Sequence, residues 1–209
     1  MTRVELDVAA LQPGEVYPLL TASVVPRPIA WVSTRSAAGV DNLAPHSFFS
    51  VAGVDPPVLM WTSVGEKDSL RNCRDTGEFV VCVATEALQR SINHTGTGMP
   101  PHLSEFTEAG LEREPSVAVA PPRVAGSPVA LECRVVGERA FGSSVVVFGQ
   151  VVHIAIDEAV LDGPVAAGGL PDIFKMAPVS RLGRNLWGGL GPVARLDRIS
   201  WDGWRDGAR

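Results

Sequence analysis

The sequence predicts a mainly β protein, most simply a barrel, with a few short helices at its periphery. Val-rich apolar runs recur along the chain, and 21 Gly and 17 Pro residues among 209 indicate frequent turns between them. This length suits one large domain, and neither an internal repeat nor a linker divides it. We therefore expect one domain over residues 1–209, with a barrel core at about residues 20–160 and an extended C-terminal tail at residues 165–209.

Composition argues against several classes of protein. The formal net charge of -5 argues against general nucleic-acid binding, which requires a basic face. Cys73, Cys82 and Cys133 are widely spaced and form no CxxC pair, which indicates reduced, buried thiols in a cytoplasmic protein. The N-terminus carries acids and no long apolar run, so we expect neither a signal peptide nor a membrane span.

The first three predicted strands cover residues 29–34, 40–51 and 58–62. The first of them is apolar at most positions, which is typical of a strand covered on both sides, although a buried helix has the same pattern. Pro45 lies within the second and cannot donate to a strand ladder. We therefore expect an edge, a bulge or a bend at Pro45, where backbone groups turn toward a ligand.

A helix is predicted to follow the third strand. Asp68 or Ser69 can cap its start, and Gly77 marks its end. The N-terminus of such a helix offers free N–H groups and a positive dipole to an anion, and Lys67 and Arg71 add full charges beside it.

The remaining elements alternate strands with short helices. A buried strand is predicted at residues 78–84, and short helices at 85–95 and 102–109. Strands follow at residues 129–136 and 145–154, and the second is long and apolar enough to be central. The tail beyond is rich in Gly, Arg and Trp, and we expect it to dock on its own domain or on a partner subunit.

Small polar clusters follow three of the apolar runs, at residues 33–35, 42–47 and 67–72. If the strands pair, these clusters gather at one end of the sheet and offer hydroxyls, amides, backbone N–H groups and cations. That set suits a phosphate attached to a planar polar ring. The alternative is that they are solvated turn residues, because turns collect the same residue types.

Other chemistries lack their signatures in this sequence. No GxSxG nucleophile elbow, P-loop or Rossmann glycine pattern in its strand-turn-helix context occurs. His94, His102 and His153 show no metal-ligand spacing, so no metal site is expected. His46 lies beside the polar clusters and could bond to a ring or a substrate, although a lone histidine is more often structural.

Five motifs occur in a familiar order: PRPIAWVST, NLAPHSFF, KDSLRN, FGQVVHI and RLG. Over roughly residues 15–187 the chain resembles the flavin reductase-like family of FMN-binding split barrels, and in particular its flavoredoxin-like branch. The resemblance implies a Greek-key split β-barrel that works as a homodimer, with FMN in a groove near the subunit interface. It also implies NADH or NADPH as electron donor.

The resemblance assigns no catalytic acid or base with confidence; His46 is the one candidate. Trp187 stands where the family commonly has another aromatic residue, often Tyr, a few positions after the RLG motif. Arg71 is added to the expected site residues because its positive charge lies beside the start of the predicted helix. Together these considerations give as expected cofactor-binding residues Arg27, Ser33, Thr34, Asn42, Ala44, Pro45, His46, Ser47, Lys67, Asp68, Ser69, Arg71, Asn72, Arg181 and Trp187.

The function expected from this reasoning is hydride transfer from a reduced nicotinamide to the N5 of FMN, with an oxygenase or another electron acceptor as partner. Two alternatives remain at this point. One is an electron carrier, or an FMN-dependent enzyme acting on an organic substrate, without its own NAD(P)H:flavin reductase activity. The other is a non-catalytic flavin-binding or partner-binding module.

Overall fold

The computed structural model describes residues 1–205 and 207 of the chain. Its strands are β1 (Arg27–Pro28), β2 (Ala30–Arg35), β3 (Asp41–His46), β4 (Phe49–Gly53), β5 (Val58–Val64), β6 (Glu78–Val83), β7 (Arg113–Glu114), β8 (Arg123–Val124), β9 (Val129–Phe141), β10 (Ser144–Ile156), β11 (Ser180–Arg181) and β12 (Trp187–Gly188). Its α-helices are α1 (Pro13–Ser23), α2 (Asp68–Thr76), α3 (Gln89–His94), α4 (Glu105–Glu108), α5 (Ile173–Met176) and α6 (Trp201–Arg205). Single 3-10 turns lie at Val8–Ala10, Glu86–Leu88, Glu158–Val160 and Val165–Ala167.

Seven strands form one antiparallel sheet in the order β3-β2-β6-β9-β10-β5-β4. Its two outer strands, β3 and β4, are joined by only two residues, and the amide of Thr62 on β5 donates to the carbonyl of Phe48 within that joint. The sheet therefore curls round to bring its edges together. Strands β6, β9 and β10 follow one another, while β5 returns beside β10, which is Greek-key connectivity. The mainly β prediction is confirmed.

Strand β2 is buried on both faces, which explains why its sequence does not alternate. Trp31 packs on one side with Ile92 of α3 and Phe106 of α4. Val32 packs on the other side with Trp61. A strand covered on both sides gains apolar burial from consecutive residues, at about 25 cal/mol per Å² removed from water.

Gly149 on β10 lies where the barrel interior is most crowded. A Cβ at this position would lie 2.2 Å from the Cζ of Phe79 and 3.1 Å from the Cβ of Cys133. The pairing of β9 with β10 shifts register immediately before it. A glycine is therefore required here by the close approach of the Phe79 ring, not by a turn.

The structure corrects one detail of the predicted helix at residue 68. Lys67 occupies the N-cap of α2, so neither Asp68 nor Ser69 is the cap, and no side-chain cap hydrogen bond forms within the described part of the chain. The end of the helix is as predicted, because Gly77 adopts a left-handed conformation with φ 74°. The three cysteines are free and buried.

The predicted tail contains a small ordered unit. Strand β11 pairs with β1 and with β12, which attaches residues 180–188 to the domain. Trp201 and Trp204 stack on each other at 5.2 Å and remain exposed. Asp206, Ala208 and Arg209, at the end of the tail, lie outside the described residues. Within the described part of the chain, no helix has the length and apolar character to cross a bilayer.

Candidate functional site

The outer edge of β3 forms one wall of a cleft. The amide of Leu43 points away from β2 and donates to Oε2 of Glu105 at 2.9 Å. Pro45 lies two residues further along the same edge, where the absence of an N–H is tolerated. Because no neighbouring strand covers this edge, a cleft of about 530 Å³ lies between β3, the start of α2 and the loop at residues 95–101.

One end of this cleft is formed by the start of α2. Lys67 is the uncapped N-terminus of α2, whose first N–H groups have no partner within the helix. Lys67, Ser69 and Arg71 all line the cleft. Arg71 also donates to Oδ1 of Asp68 at 2.6 Å, so part of its charge is compensated. The dipole of α2 and the Lys67 ammonium therefore favour a negative group at this end.

A buried amide network fixes the Ser69 hydroxyl. The Nδ2 group of Asn42 donates to Oγ of Ser69 at 3.0 Å and to Oγ1 of Thr34 at 3.2 Å. The Nδ2 group of Asn72 donates to the same Thr34 oxygen at 3.0 Å. Since Ser69 accepts from Asn42, its own proton is left to donate into the cleft.

His46 lies at the bend between β3 and β4 and is neutral at pH 7. Burial of the ring lowers the pKa of His46 to about 4. The hydrogen bond to the Thr62 carbonyl raises this pKa, and the nearby Lys67 charge lowers it further. That bond, 3.2 Å long, requires the proton on Nδ1, because a carbonyl only accepts. The Nε2 atom is buried and has no hydrogen-bond partner among the residues that the structure describes. The ring also packs on Trp61, with centroids 4.3 Å apart.

We expect His46 to make the fold sensitive to mild acid. Its folded-state pKa of about 4 lies below the ordinary value of 6.5, so the unfolded chain binds the proton first. Stability contributed by the neutral ring is full above about pH 6.5 and is lost as the pH falls toward 4, by at most about 1.4 kcal/mol per pH unit. Urea unfolding at pH 7.5 and pH 5 measures this loss, and His46→Gln should make it smaller. An equal loss in both proteins would contradict the assignment.

The cleft continues past Pro45 to the ordered part of the tail. A passage of about 250 Å³ leads there and is lined by Ile29, Pro45, Ser47, Asn93, Gly96, Arg181 and Trp187. The guanidinium of Arg181 lies 4.9 Å from the centroid of the Trp187 ring and donates to the carbonyl of Arg184 at 2.8 Å. The structure thus brings Arg181 and Trp187 to the opposite end of the groove from α2.

The predicted site residues divide into two groups. Those that line the groove are Asn42, Ala44, Pro45, His46, Ser47, Lys67, Asp68, Ser69, Arg71, Asn72, Arg181 and Trp187. Ser33 and Thr34 are wholly buried in β2 behind it. Arg27 is buried and lines none of these cavities: its guanidinium donates to the carbonyls of Thr21, Val24 and Leu182. In this structure Arg27 therefore joins α1 to the tail.

Several groove residues carried no sequence signal for a site. Gly96, in a segment recognised only as a loop, faces Pro45, and a Cβ there would lie 3.4 Å from the Pro45 Cγ. Glu105 lies in the wall of the cleft. Burial raises the pKa of its carboxyl, and the hydrogen bond from the Leu43 amide lowers it by less. Within the described residues, no three His, Cys, Asp or Glu side chains gather as metal ligands.

Comparisons with known proteins agree with this geometry. The family model of the flavin reductase like domain matches residues 22–169. The uncharacterized protein BH2278 of Halalkalibacterium halodurans is 38% identical over 200 residues, which cover 90% of this chain and 92% of that protein.

Three solved structures share the fold. Nitrilotriacetate monooxygenase component B from Bacillus cereus has a TM-score of 0.87 and 27% identity, with 94% of this chain and 100% of that chain covered. The 2-nitrobenzoate 2-nitroreductase of Pseudomonas fluorescens has a TM-score of 0.87 and 28% identity, over 95% and 98%. A flavin reductase-type protein with a split barrel domain from Shewanella frigidimarina has a TM-score of 0.81 and 19% identity, over 91% and 96%. The architecture is therefore the split barrel.

Proposed function

The chain belongs to the flavin reductase-like family of flavin-binding oxidoreductases, and we propose that it holds FMN in the β3 cleft and reduces it with NADH or NADPH. One observation carries the proposal. The uncapped N-terminus of α2, with the Ser69 hydroxyl and Lys67, offers donors and positive charge to an anion at one end of a cleft of about 530 Å³. FMN carries a phosphate at a fixed distance from its ring. The phosphate would suit the start of α2, and the ring would suit the rest of the cleft.

The residues of the groove fit the two parts of FMN. The phosphate would be held by Ser69, Lys67 and the first amides of α2, through charge-assisted hydrogen bonds worth about 1.5–3 kcal/mol each. The ring would lie along β3, against Ala44 and Pro45. When bound, FMN would supply the hydride chemistry, and the protein would bind and orient it.

The surroundings of the anion site favour FMN over FAD. Beyond α2 the groove narrows to a recess of about 190 Å³, lined in part by Asp68, Asp75 and Arg71. A second phosphate would meet the Asp75 carboxylate there, and the Arg71 cation that could offset it is already paired with Asp68. The recess therefore offers a second phosphate no net attraction.

A second candidate function is FMN-dependent reduction of an organic acceptor, or onward electron transfer, without NAD(P)H:flavin reductase activity. The wide end of the groove around Arg181 and Trp187 favours it, because it offers room for a molecule other than flavin. The similarity to 2-nitrobenzoate 2-nitroreductase supports the same alternative.

We further propose that the protein is a homodimer with the flavin near the interface. Tyr17 of α1 borders a recess that it shares with His46 and Lys67. The same helix exposes Leu19 and Leu20, which are 45% and 58% exposed. An apolar helix face beside the site is suited to cover by a second copy. Light scattering of the purified protein gives the oligomeric state, and a monomer would contradict this proposal.

The visible absorption spectrum of the purified protein, followed by identification of any flavin released on heating, tests the main proposal. A yellow protein that releases FMN, or a colourless one that binds added FMN, supports it. A protein that binds neither FMN nor FAD overturns it. Steady NAD(P)H consumption with free flavin as acceptor then separates a flavin reductase from the second candidate.

Changing both Lys67 and Arg71 to Met should weaken FMN binding far more than it weakens folding. Both side chains are exposed and border this end of the cleft. Removing them deletes the Lys67 charge and leaves the Asp68 carboxylate without its Arg71 partner. We expect the dissociation constant of FMN to rise about 100-fold. Arg139→Met, on an exposed stretch of β9, is the matched control. Unchanged FMN affinity in the double variant would place the phosphate elsewhere.

A further inference from the structure

A second cavity, of about 600 Å³, opens at the end of the groove far from α2. It is lined by Gln89, Arg90, Asn93, Arg181, Asn185 and Trp187. Three of these, Asn93, Arg181 and Trp187, also line the passage that reaches Pro45 on β3. The cavity is thus continuous with the proposed flavin cleft and lies beyond its ring end.

The charge in this cavity is not compensated. Arg90 has neither a hydrogen-bond partner nor an ion-pair partner among the residues that the structure describes. Among the described residues, the Arg181 side chain makes one hydrogen bond, to the backbone carbonyl of Arg184, and none to a carboxylate. The other side chains that line the cavity are the amides of Gln89, Asn93 and Asn185 and the indole of Trp187. Two guanidinium groups therefore border a cavity whose lining includes no acid, in a protein whose net charge is -5. The Glu86 carboxylate lies beside Gly189, outside that lining.

The cavity wall formed by the tail is firmly held. The β11–β12 hairpin is closed by the Ser180 hydroxyl donating to the Gly188 carbonyl at 2.9 Å, and by the Leu182 amide donating to the Leu186 carbonyl at 3.0 Å. The carbonyl of Leu182 also accepts from the buried Arg27 at 2.8 Å. Arg27 is thus a positioning residue, which fixes the hairpin that presents Arg181 and Trp187 to α3.

We propose that this cavity binds the anionic group, a phosphate or a carboxylate, of the second reactant, the molecule that exchanges hydride with the bound flavin. The inference rests on the proposed function. A guanidinium presents a planar fork of N–H groups that matches an oxyanion, and the stacking of Arg181 on Trp187 holds one fork in place. The two ends of the groove thereby bind different anions: the flavin phosphate at α2, and the second reactant between α3 and the hairpin.

The test uses the FMN-loaded full-length protein and the variant Arg90→Gln. Arg90 is exposed and has no partner to lose, so the variant should fold as the parent does, which thermal unfolding checks. Its FMN affinity should stay within about twofold. The apparent dissociation constants of NADH and NADPH come from anaerobic reduction of the bound flavin, and those of benzoate and uncharged benzamide from the change in flavin absorbance.

We expect Arg90→Gln to weaken one class of anion about 10-fold or more, as is usual for loss of a charge-assisted contact. Weaker binding of the nicotinamide donors identifies the anion as a donor phosphate. Weaker binding of benzoate alone, with benzamide unchanged, identifies it as a carboxylate. Arg181→Lys keeps the charge without the fork and should give a smaller loss, and Arg139→Gln should give none.

Two results would overturn the inference, and only one of them would also overturn the proposed function. If FMN binds normally and neither the donors nor benzoate respond to Arg90→Gln, the inference fails and the proposed function stands. If the parent protein binds no flavin at all, both fail together. The flavin titration of the parent protein is therefore measured first.

Discussion

Replacing Ser69 with aspartate should weaken FMN binding about 1000-fold or more without unfolding the protein. Ser69 lies in the first turn of α2, is buried, and lines the cleft. A carboxylate at this position would occupy the place proposed for the phosphate. Two unit charges 4 Å apart repel by about 4 kcal/mol at an effective dielectric constant of 20, and each 1.4 kcal/mol is a factor of ten.

The fold should tolerate this change, because a carboxylate near a helix N-terminus interacts favourably with the helix dipole. Titration of FMN by fluorescence quenching measures the loss. Riboflavin, which has the ring but no phosphate, is the matched ligand, and its affinity should change little. Ser69→Ala should cost only about 10-fold for FMN, because it removes one hydrogen bond without adding charge. Equal losses for FMN and riboflavin would show that the variant damages the ring site or the fold.

The residues that line the α2 end of the cleft could be selected from the sequence because their determinants are local, and anion binding by them stays a prediction. Lys67, Ser69 and Arg71 fall within one helical turn, and Gly77 fixes where that helix ends. Pro45 likewise indicated an edge without any knowledge of the partner strands. Helix ends and proline positions depend on a few neighbouring residues, so a single sequence can reveal them.

The far end of the groove was not predictable from local pattern. Arg90 lies in α3 and Arg181 in β11, and strands β7 to β10 lie between them in the sequence. They border one cavity only because the tail returns beside α3. Arg27 and Thr34 belong to motifs that border the site, and both are buried and hydrogen-bonded within the domain. Their contact with a cofactor stays a prediction. A motif shows which residues are close in sequence, but not which face of the strand each side chain occupies.

Glu132 illustrates the same difficulty within a strand. Glu132 and Cys133 lie on opposite faces of β9, and both faces are covered at this point. Glu132 is fully buried beneath the irregular segment at residues 115–122. Covering loops are long-range features, so the periodicity of a strand cannot reveal them.

Replacing Glu132 with alanine is expected to destabilise the fold by about 3–5 kcal/mol, because it leaves a buried guanidinium without its main partner. The carboxylate of Glu132 accepts from Nη2 and Nε of Arg123, at 2.5 Å and 2.9 Å, and from the amides of Val117 and Ala118, at 3.0 Å and 2.6 Å. Arg123 also reaches Glu114 at 2.7 Å, but that carboxylate is about half exposed. One side chain thus holds both the loop and the buried cation.

Urea unfolding measures this loss, and Glu138→Ala provides the control. Glu138 accepts two hydrogen bonds from Arg74, at 2.9 Å and 3.0 Å, so it matches Glu132 in chemistry but lies at the surface. Exposed ion pairs contribute little, so the unfolding midpoint of Glu138→Ala should hardly change. Similar midpoints for the two variants would mean that burial of the Glu132 network adds nothing to stability.

The pH dependence of unfolding distinguishes Glu132 from His46. Burial alone would raise the pKa of Glu132, but the hydrogen bonds from Val117, Ala118 and Arg123 outweigh it and hold the pKa below its ordinary value of 4.5. A carboxylate whose folded-state pKa is depressed contributes stability that is full above its unfolded value and is lost as the pH falls through the folded value. The loss from Glu132 therefore begins below about pH 4.5, whereas that from His46 occurs mainly above it. Glu132→Gln should lower stability at every pH, because a neutral amide leaves the buried Arg123 guanidinium without its counter-charge. It should also abolish the steeper fall at the acidic end, because the amide cannot be titrated.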